Sequence, residues 1–263
     1  MYNSQVTIFW LFAAGTLLIA GCTKKETITE PVEVNTSIVG VASYSYGTNV
    51  RFLTPSFQSI TLAGYDEAKQ ISATFNNQPL RRRDNYNAVA LSGEYRVAFN
   101  QTYAFRLTID GKSATMTDAM PDSVYITSHL NGAGVPANQP VLLQWNQTSN
   151  TDFYFVTARV EQGITFLFDS TFVTTANQAS LPARFFPNST TTTIDVFAVA
   201  GLPPHVTNAS NLQGDLKGRI YFYVRTAVFR LRSSATAAQT MPAAEIDDDY
   251  ASKKFREFIG AGE

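Results

Sequence analysis

The stretch around Asp110-Gly111 constrains the fold of this chain of 263 residues more than any other. Before this dipeptide every second residue is apolar: Tyr103, Phe105, Leu107 and Ile109. Such alternation puts one face of a β-strand into a core, and Asp-Gly between two strands is typical of a two-residue type I′ turn. Residues 112–117 then provide the returning strand. The stretch predicts a β-hairpin, and a chain organised around it is predicted to be a β protein.

Composition agrees with that prediction. Charged residues make up only 16% of the chain and aromatic residues 13%, a mixture that favours strands over helices. The 20 Lys and Arg nearly balance the 21 Asp and Glu, so no basic surface for nucleic acid is expected. Cys22 is the only cysteine. Burial of a core, and not a disulfide, must therefore stabilise the fold.

Turn chemistry divides the chain into two runs of short strands. Met120-Pro121 directly follows the hairpin, and a new strand is predicted from Ser123 to Thr127. Strand-length apolar segments separated by Gly, Pro and Asn are typical of a β-sandwich, and the polar stretch Arg81-Arg82-Arg83 is predicted to be a solvated loop. The sequence thus predicts an all-β fold of two tandem β-sandwich domains, residues 37–119 and 120–233.

The strand predicted within residues 218–233 changes face part-way along. Its apolar residues are first Ile220, Phe222 and Val224, and later Phe229 and Leu231. A strand cannot change faces without an extra residue, so a β-bulge or a strand break is predicted between Arg225 and Phe229. Tyr221 and Tyr223 alternate with the first apolar set, and we expect both to point outward.

A tryptophan and a tyrosine in the second half match a known core arrangement. Leu143-Gln144-Trp145 is followed by Asp152-Phe153-Tyr154, after turn residues that include Asn131-Gly132. This arrangement resembles the opening half of a fibronectin type III or related immunoglobulin-like domain. In that family a tryptophan of the second strand and a tyrosine of the third lie in the core. The resemblance covers about residues 122–233 and implies that Trp145 and Tyr154 are buried between two sheets.

The amino-terminal segment combines an apolar run with the single cysteine. The run, residues 7–20, is about 14 residues long. A helix that crosses a bilayer needs ~20 residues, so the run is typical of the core of a secretory signal. Its ending, Ile19-Ala20-Gly21-Cys22, resembles the lipobox of bacterial lipoproteins, although residues 1–10 lack the usual Lys or Arg.

The lipobox resemblance implies an anchor and a location. In that family the cysteine thiol is acylated and the chain is cut before it, so residues 1–21 would be a signal peptide and Cys22 the lipid attachment site. Residues 22–36 are polar and are expected to form a flexible tether. Two or three acyl chains anchor a protein stably. We therefore expect an extracytoplasmic protein held by membrane lipid at the outer membrane or cell surface, similar to surface lipoproteins of Bacteroidota.

Residues that could carry chemistry are sparse. The two histidines, His129 and His205, lie in predicted loops, and neither has a second metal ligand at the usual spacing. We therefore expect no metal site and no cofactor. Asp195 lies between two apolar residues, and its parity lets it point outward. Two catalytic carboxylates assembled across strands would leave no sequence pattern, so that alternative stays open.

The last segment, residues 234–263, is expected to be a linker followed by a helix over residues 242–259. Acidic residues precede basic ones in this helix, which complements the helix dipole. Its apolar stripe consists of Ala251, Phe255, Phe258 and Ile259. An isolated helix of this length is marginal in water, so the stripe must pack either on the chain's own second sandwich or on a partner protein. The linker has no apolar pattern, which favours docking of Phe255, Phe258 and Ile259 on a partner.

These patterns favour a non-catalytic interaction or binding module with an unknown protein or glycan partner. The first alternative is a carbohydrate-binding lipoprotein in which Tyr221 and Tyr223 form an exposed strip of rings. The second is a hydrolase with a cross-strand carboxylate pair. Burial of the two tyrosine rings would remove the basis of the first alternative, and a cleft with two carboxyl groups within about 10 Å would support the second.

Overall fold

The computed structural model describes residues 38–44, 56–62, 70–85, 88–94, 98–203, 205–206, 209–234 and 249–259. All of them belong to one compact unit that spans Asn35–Glu263. Cys22, the predicted signal peptide and the predicted tether lie outside the described residues, and all of them except residues 35–36 lie outside this unit. The described chain is mostly β-strand in sandwich-like layers with one short C-terminal helix, which confirms the predicted fold class.

The described part of the chain contains seventeen strands, one α-helix and a 3-10 helix at Ala183–Phe185. Up to residue 119 the strands are β1 (Ile38–Tyr44), β2 (Ser56–Leu62), β3 (Ile71–Phe75), β4 (Gln78–Pro79), β5 (Arg81–Asn85), β6 (Ala88–Glu94), β7 (Thr102–Ile109) and β8 (Lys112–Ala119). After it they are β9 (Ala133–Pro136), β10 (Val141–Gln144), β11 (Phe153–Gln162), β12 (Thr165–Thr174), β13 (Gln178–Leu181), β14 (Thr190–Ala200), β15 (Gln213–Gly214), β16 (Gly218–Arg225) and β17 (Phe229–Ser234). Helix α1 spans Asp249–Ile259.

The largest sheet has ten strands in the order β12-β11-β14-β16-β1-β2-β6-β5, with β17 paired to β14 and β9 paired to β17. The pairs β1 with β16 and β9 with β17 are parallel. Ile38 of β1 lies opposite Gly218 of β16. Strands from both sides of the predicted boundary after residue 119 therefore share this sheet, and that each half is a domain of its own stays a prediction.

Two smaller sheets pack on one face of the ten-stranded sheet. One has five strands in the order β15-β8-β7-β3-β4, and the other is the pair β10 and β13. Phe75 of β3 and Tyr103 of β7 lie with their ring centroids 6.0 and 6.5 Å from that of Phe222 in β16. These rings belong to one core cluster that also includes Leu143 of β10 and Val156 of β11. Burial of each such side chain contributes roughly 1.5–3 kcal/mol.

Strands β7 and β8 form the predicted hairpin. Ile109 lies opposite Lys112 across the turn, and the φ angles of Asp110 and Gly111 are 46° and 83°. Two successive positive φ angles define the type I′ turn that Asp-Gly predicts. The Asp110 Oδ1 also accepts a hydrogen bond of 2.9 Å from the N–H of Gln70, which ties the turn to the residue before β3.

The predicted change of face is a strand break between β16 and β17. The first strand ends at Arg225 and the second begins at Phe229. Thr226 fills part of the gap, because its N–H donates to the Val196 carbonyl at 2.9 Å and its Oγ1 accepts from the Val196 N–H at 3.1 Å. One end of β14 therefore pairs with β16 and the other with β17, which confirms the prediction.

Trp145 and Tyr154 are buried, as the fibronectin-type resemblance implies. Their rings meet edge to face with centroids 5.2 Å apart. Trp145 also forms an isolated bridge with Ile126, and the Tyr154 hydroxyl lies 2.8 Å from Oγ1 of Thr148.

One stretch predicted to be a loop is a strand. Arg81–Asn85 form β5, which ends the ten-stranded sheet and pairs there with β6. Charged residues on an end strand oppose edge-to-edge association. A polar sequence can therefore be a strand at this position, which is why its composition was misleading.

Helix α1 lies on the opposite face of the ten-stranded sheet from the two small sheets. Its buried residues Ala251, Phe255 and Ile259 pack on side chains of β11, β14 and β16. Residues 242–248 of the predicted helix lie outside the described residues. In the part of the chain that the structure describes, no helix is long and apolar enough to span a bilayer.

Candidate functional site

We call the face of the ten-stranded sheet under α1 the outer face. Alternate residues of three strands form its apolar part: Phe153 and Phe155 of β11, Phe197 and Val199 of β14, and Tyr221 and Tyr223 of β16. Together with α1 they make a second apolar cluster, separate from the main core. The central strands are thus buried on both faces, which explains their near-continuous apolar sequences.

Phe255 is the centre of this second cluster. Its ring stacks on Phe197 with centroids 5.1 Å apart and meets the edge of Tyr223 at 4.8 Å. Phe155 lies 5.3 Å away on the other side and also stacks on Phe258 at 4.7 Å. Aromatic pairs of this kind contribute ~0.5–1.5 kcal/mol each beyond the area they bury. The cluster therefore holds α1 to the sheet.

The expected exposure of Tyr221 and Tyr223 is wrong. Both side chains point to the face that the parity predicts, but α1 covers that face, and they are only 0% and 3% exposed. Burial raises the pKa of the Tyr221 hydroxyl, and the nearby Arg219 lowers it only in part. The two rings form no exposed strip, so the carbohydrate-binding alternative has lost its basis.

The expected docking of α1 on a partner is also wrong. Phe255 and Ile259 are buried against the chain's own sheet, and Phe258 is half-buried there. The apolar stripe itself is confirmed, because the packing residues are those that the helical spacing selects. The linker before the helix carries no apolar pattern, but that observation constrains the linker alone and says nothing about the destination of the helix.

Asp195 and Arg225 form an ion pair on the outer face, beside the break between β16 and β17. The Arg225 Nη2 lies 2.8 Å from Oδ1 of Asp195, and the Arg225 Nε donates to the same oxygen at 2.9 Å. Arg225 Nη1 also contacts Oγ of Ser252 in α1 at 3.4 Å. The parity of Asp195 is as expected, but the carboxylate is buried and paired. Its neighbours give it a structural role between sheet and helix.

A charged rim lies beside the N-terminal half of α1. Arg159 Nη2 is 3.0 Å from Oε1 of Glu161, and the Arg159 guanidinium lies 4.7 Å over the ring of Tyr250. Lys254 Nζ is 3.3 Å from Oδ2 of Asp169 in β12. Burial lowers the pKa of Lys254, but the carboxylates of Asp169 and Glu257 more than offset this, so the pKa is raised. These contacts set the position of the helix along the sheet.

Two carboxyl groups interact near the end of β8. Burial raises the pKa of Asp118, the Ala119 N–H lowers it in part, and the charge of Asp152 raises it further. Asp118 Oδ1 accepts a hydrogen bond of 2.8 Å from Ala119, and Asp152 Oδ2 accepts one of 2.7 Å from the N–H of Gly201. Both carboxylates therefore hold backbone in place. A catalytic role for a carboxylate pair stays an untested alternative.

The histidines lie where the sequence predicts, outside regular strands. His129 is half-buried with Nδ1 2.8 Å from Oγ of Ser128, and His205 is exposed. Within the described ranges, no group of three or more His, Cys, Asp or Glu side chains is arranged to hold a metal ion.

The hairpin of β11 and β12 carries the exposed apolar surface that sequence reasoning missed. Eight large apolar side chains of the described residues are exposed, and half of them lie here: Ile164, Phe166, Leu167 and Val173. Ile164 at the turn is 97% exposed. We call these four residues the hairpin patch. The sequence contained a signal for this surface, because consecutive apolar residues, which point to both faces of a strand, flank Asp169-Ser170-Thr171. A strand with one buried face needs apolar residues only at alternate positions.

Comparisons with known proteins add structures but no family. No family model matches the chain, and no curated protein matches it. The chain is similar to fibronectin(III)-like modules of Clostridium thermocellum CbhA, with 10% identity over 79% of this chain and 100% of that chain and a TM-score of 0.23. It is similar to domains from titin, with 6% identity over 75% of this chain and 62% of that chain and a TM-score of 0.23.

The IG1 and IG2 domains of DIP-gamma are also similar, with 10% identity over 75% of this chain and 95% of that chain and a TM-score of 0.20. TM-scores this low do not establish a shared topology. The strands and pairings of this chain alone define its fold.

Proposed function

We propose that this chain is a lipid-anchored extracytoplasmic protein that acts by binding and not by catalysis. The main support for the lipid anchor is the apolar run that ends in Ile19-Ala20-Gly21-Cys22. The arrangement downstream supports it, since polar residues 22–34 precede a compact unit that begins at Asn35. An acylated Cys22 would hold such a unit at the membrane surface without a further membrane segment.

The hairpin patch supports the binding role. Contiguous exposed apolar side chains on a folded surface mark interaction sites more often than isolated ones do. Here Ile164, Phe166 and Leu167 lie together at the tip of one hairpin, and Val173 lies at the other end of the same hairpin. The outer face, by contrast, is already occupied by α1.

The anchor is tested by Cys22→Ala in the full-length chain, expressed in a Gram-negative host with a labelled palmitate analogue. Wild type should carry the label and stay in the membrane fraction after a carbonate wash. Cys22→Ala should lose the label and reach the soluble fraction to a larger extent. Thr27→Ala, in the predicted tether, should behave as wild type. A Cys22→Ala chain that keeps its label would overturn the lipid attachment.

The binding role is tested on the same membranes by chemical cross-linking. Phe166→Ser should reduce cross-linked adducts, because the exposed ring belongs to the patch. Leu142→Ser is a matched control, since Leu142 is 50% exposed and Phe166 is 52% exposed, but Leu142 lies on β10. Equal adducts from wild type and both variants would contradict a binding role for the patch.

A further inference from the structure

Among the strands that the structure describes, β12 lies at one end of the ten-stranded sheet. It has ten residues and, among the described strands, pairs with β11 on one side. The backbone N–H and C=O groups on the other side of such a strand can pair with another chain. An edge of this length is uncommon unless something protects it.

The two ends of the sheet differ in their protection. At the other end, β5 begins with three consecutive arginines, and charged residues on an edge strand oppose its pairing with another strand. β12 contains no proline, and its single charged residue is Asp169. Lys254 lies 3.3 Å from that carboxylate. Of the two described end strands, β5 thus carries charges that oppose association, and β12 carries few.

A bulge divides β12 into a tip and a regular strand. Phe168 lies opposite Val160 of β11, but Phe166 lies opposite Glu161, so Leu167 is an extra residue. The bulge places the ring of Phe166 on the same face as Glu161. Below it, residues 168–174 alternate regularly, with Phe168 and Phe172 toward the main core and Asp169 and Thr171 toward the outer face.

The sequence of this regular part is symmetric about Ser170. In an antiparallel pair of two β12 strands with a two-fold axis through Ser170, Phe168 of each copy would lie opposite Phe172 of the other. Asp169 would lie opposite Thr171. Cross-strand aromatic and apolar pairs stabilise such a ladder, and an axis perpendicular to the sheet keeps the core faces of both copies on one side.

We propose that β12 pairs antiparallel with β12 of a second copy of this chain, about a two-fold axis at Ser170. This pairing would be a specific form of the binding role proposed above, and it rests on that role. It does not depend on the lipid anchor. A second copy is the occupant because each favourable pair is made twice by symmetry. An unrelated strand would match Phe168 and Phe172 only if it carried the same pattern.

The test is a disulfide at the axis. The full-length chain with Cys22→Ala has no cysteine left, and Ser170→Cys in this background adds one. Opposed residues in an antiparallel pair have Cα atoms about 4.5–5.5 Å apart, within the range of a disulfide. Mild oxidation of the detergent-purified chain should therefore convert a large fraction of it to a covalent dimer on a non-reducing gel.

Thr165→Cys is the matched control on the same strand. Thr165 is more exposed than Ser170, but its two copies would lie about 34 Å apart, ten residues along the ladder. It should give no dimer above background. A Ser170→Cys chain that stays monomeric, cross-links to a different protein, or dimerises no better than Thr165→Cys would overturn the proposal.

Charge variants test the register in the same background without a cross-link. Thr171→Asp would place a second carboxylate opposite Asp169 at two symmetric positions, and Thr171→Lys would place an ammonium there. We expect the dimer dissociation constant in sedimentation equilibrium to rise about tenfold for the first and to fall for the second. Ser180→Asp, exposed on β13, should leave it unchanged. If the dimer dissociation constant changed equally in both Thr171 variants, or in neither, this register would be contradicted.

Discussion

Arg225 and Asp195 join the sheet to the C-terminal helix through one buried ion pair. Their closest atoms are 2.8 Å apart, and both side chains are 6% exposed. Arg225 is the last residue of β16, Asp195 is in the central part of β14, and the guanidinium reaches Ser252 of α1. The pair thus lies where β16 ends, at the point where the pairing of β14 passes from β16 to β17.

Asp195→Ala should lower the free energy of unfolding by about 3–5 kcal/mol, because it leaves a buried guanidinium without this carboxylate. Chemical denaturation followed by fluorescence measures the change. Lys254→Ala, which removes a more exposed ion pair with Asp169, should cost only ~0–1 kcal/mol. The double variant Asp195→Leu, Arg225→Met should recover much of the loss. A single Asp195→Ala variant as stable as wild type would show that the pair is not buried.

Phe255→Ala should release α1 from the outer face. The ring contacts Phe197, Tyr223 and Phe155, and removal of a buried phenylalanine typically costs about 3–5 kcal/mol. An eleven-residue helix is not stable by itself in water, so amides of α1 should lose protection from hydrogen exchange. Lys253→Ala, on the exposed side of the same helix, should keep that protection. Unchanged exchange in Phe255→Ala would place the helix elsewhere.

Trp145→Ala should reduce stability by about 3–5 kcal/mol through the cavity it leaves beside Tyr154. Trp145→Phe keeps an aromatic ring and should lose less. The melting temperature reports both. If Trp145→Ala had the same melting temperature as wild type, the ring would not lie in the core.

Local rules predicted the parts of the fold that neighbouring residues determine. The turn at Asp110-Gly111 follows from the φ angles that this dipeptide favours. The break after Arg225 follows from the parity of Phe222 and Phe229, since a strand must lose its ladder to change faces. Trp145 was assigned to the core by resemblance, and its burial agrees.

Contacts between residues far apart in the sequence determine the features that the sequence could not predict. The parity of Tyr221 and Tyr223 indicates their face, but nothing near them in the chain indicates that α1 covers it. Asp195 is outward by the same parity and buried for the same reason. The pairing of Ile38 with Gly218 joins strands on either side of the predicted domain boundary. The position of β12 at the end of the sheet follows only from the order of the described strands.

The pH dependence of stability offers a separate test at Asp118. Burial and the charge of Asp152 raise the pKa of this carboxyl in the folded chain, despite the hydrogen bond from Ala119. The unfolded chain should titrate at about 3.9. Between the two pKa values the folded state binds more protons, so this group makes stability fall as the pH rises through that window. Its contribution is fully favourable below the unfolded pKa and is lost above the folded one.

Asp118→Asn removes this titration. The stability of the variant relative to wild type should therefore increase as the pH rises from about 3 to about 7. Carbon-13 NMR of the Asp118 carboxyl measures the pKa itself. In Asp152→Asn that pKa should move back toward the ordinary value, because one of the two raising influences is gone, while burial of the carboxyl remains. If the Asp118 resonance titrated at an unshifted pKa in wild type, the carboxyl would be solvated, and the interaction with Asp152 across the end of β8 would be absent.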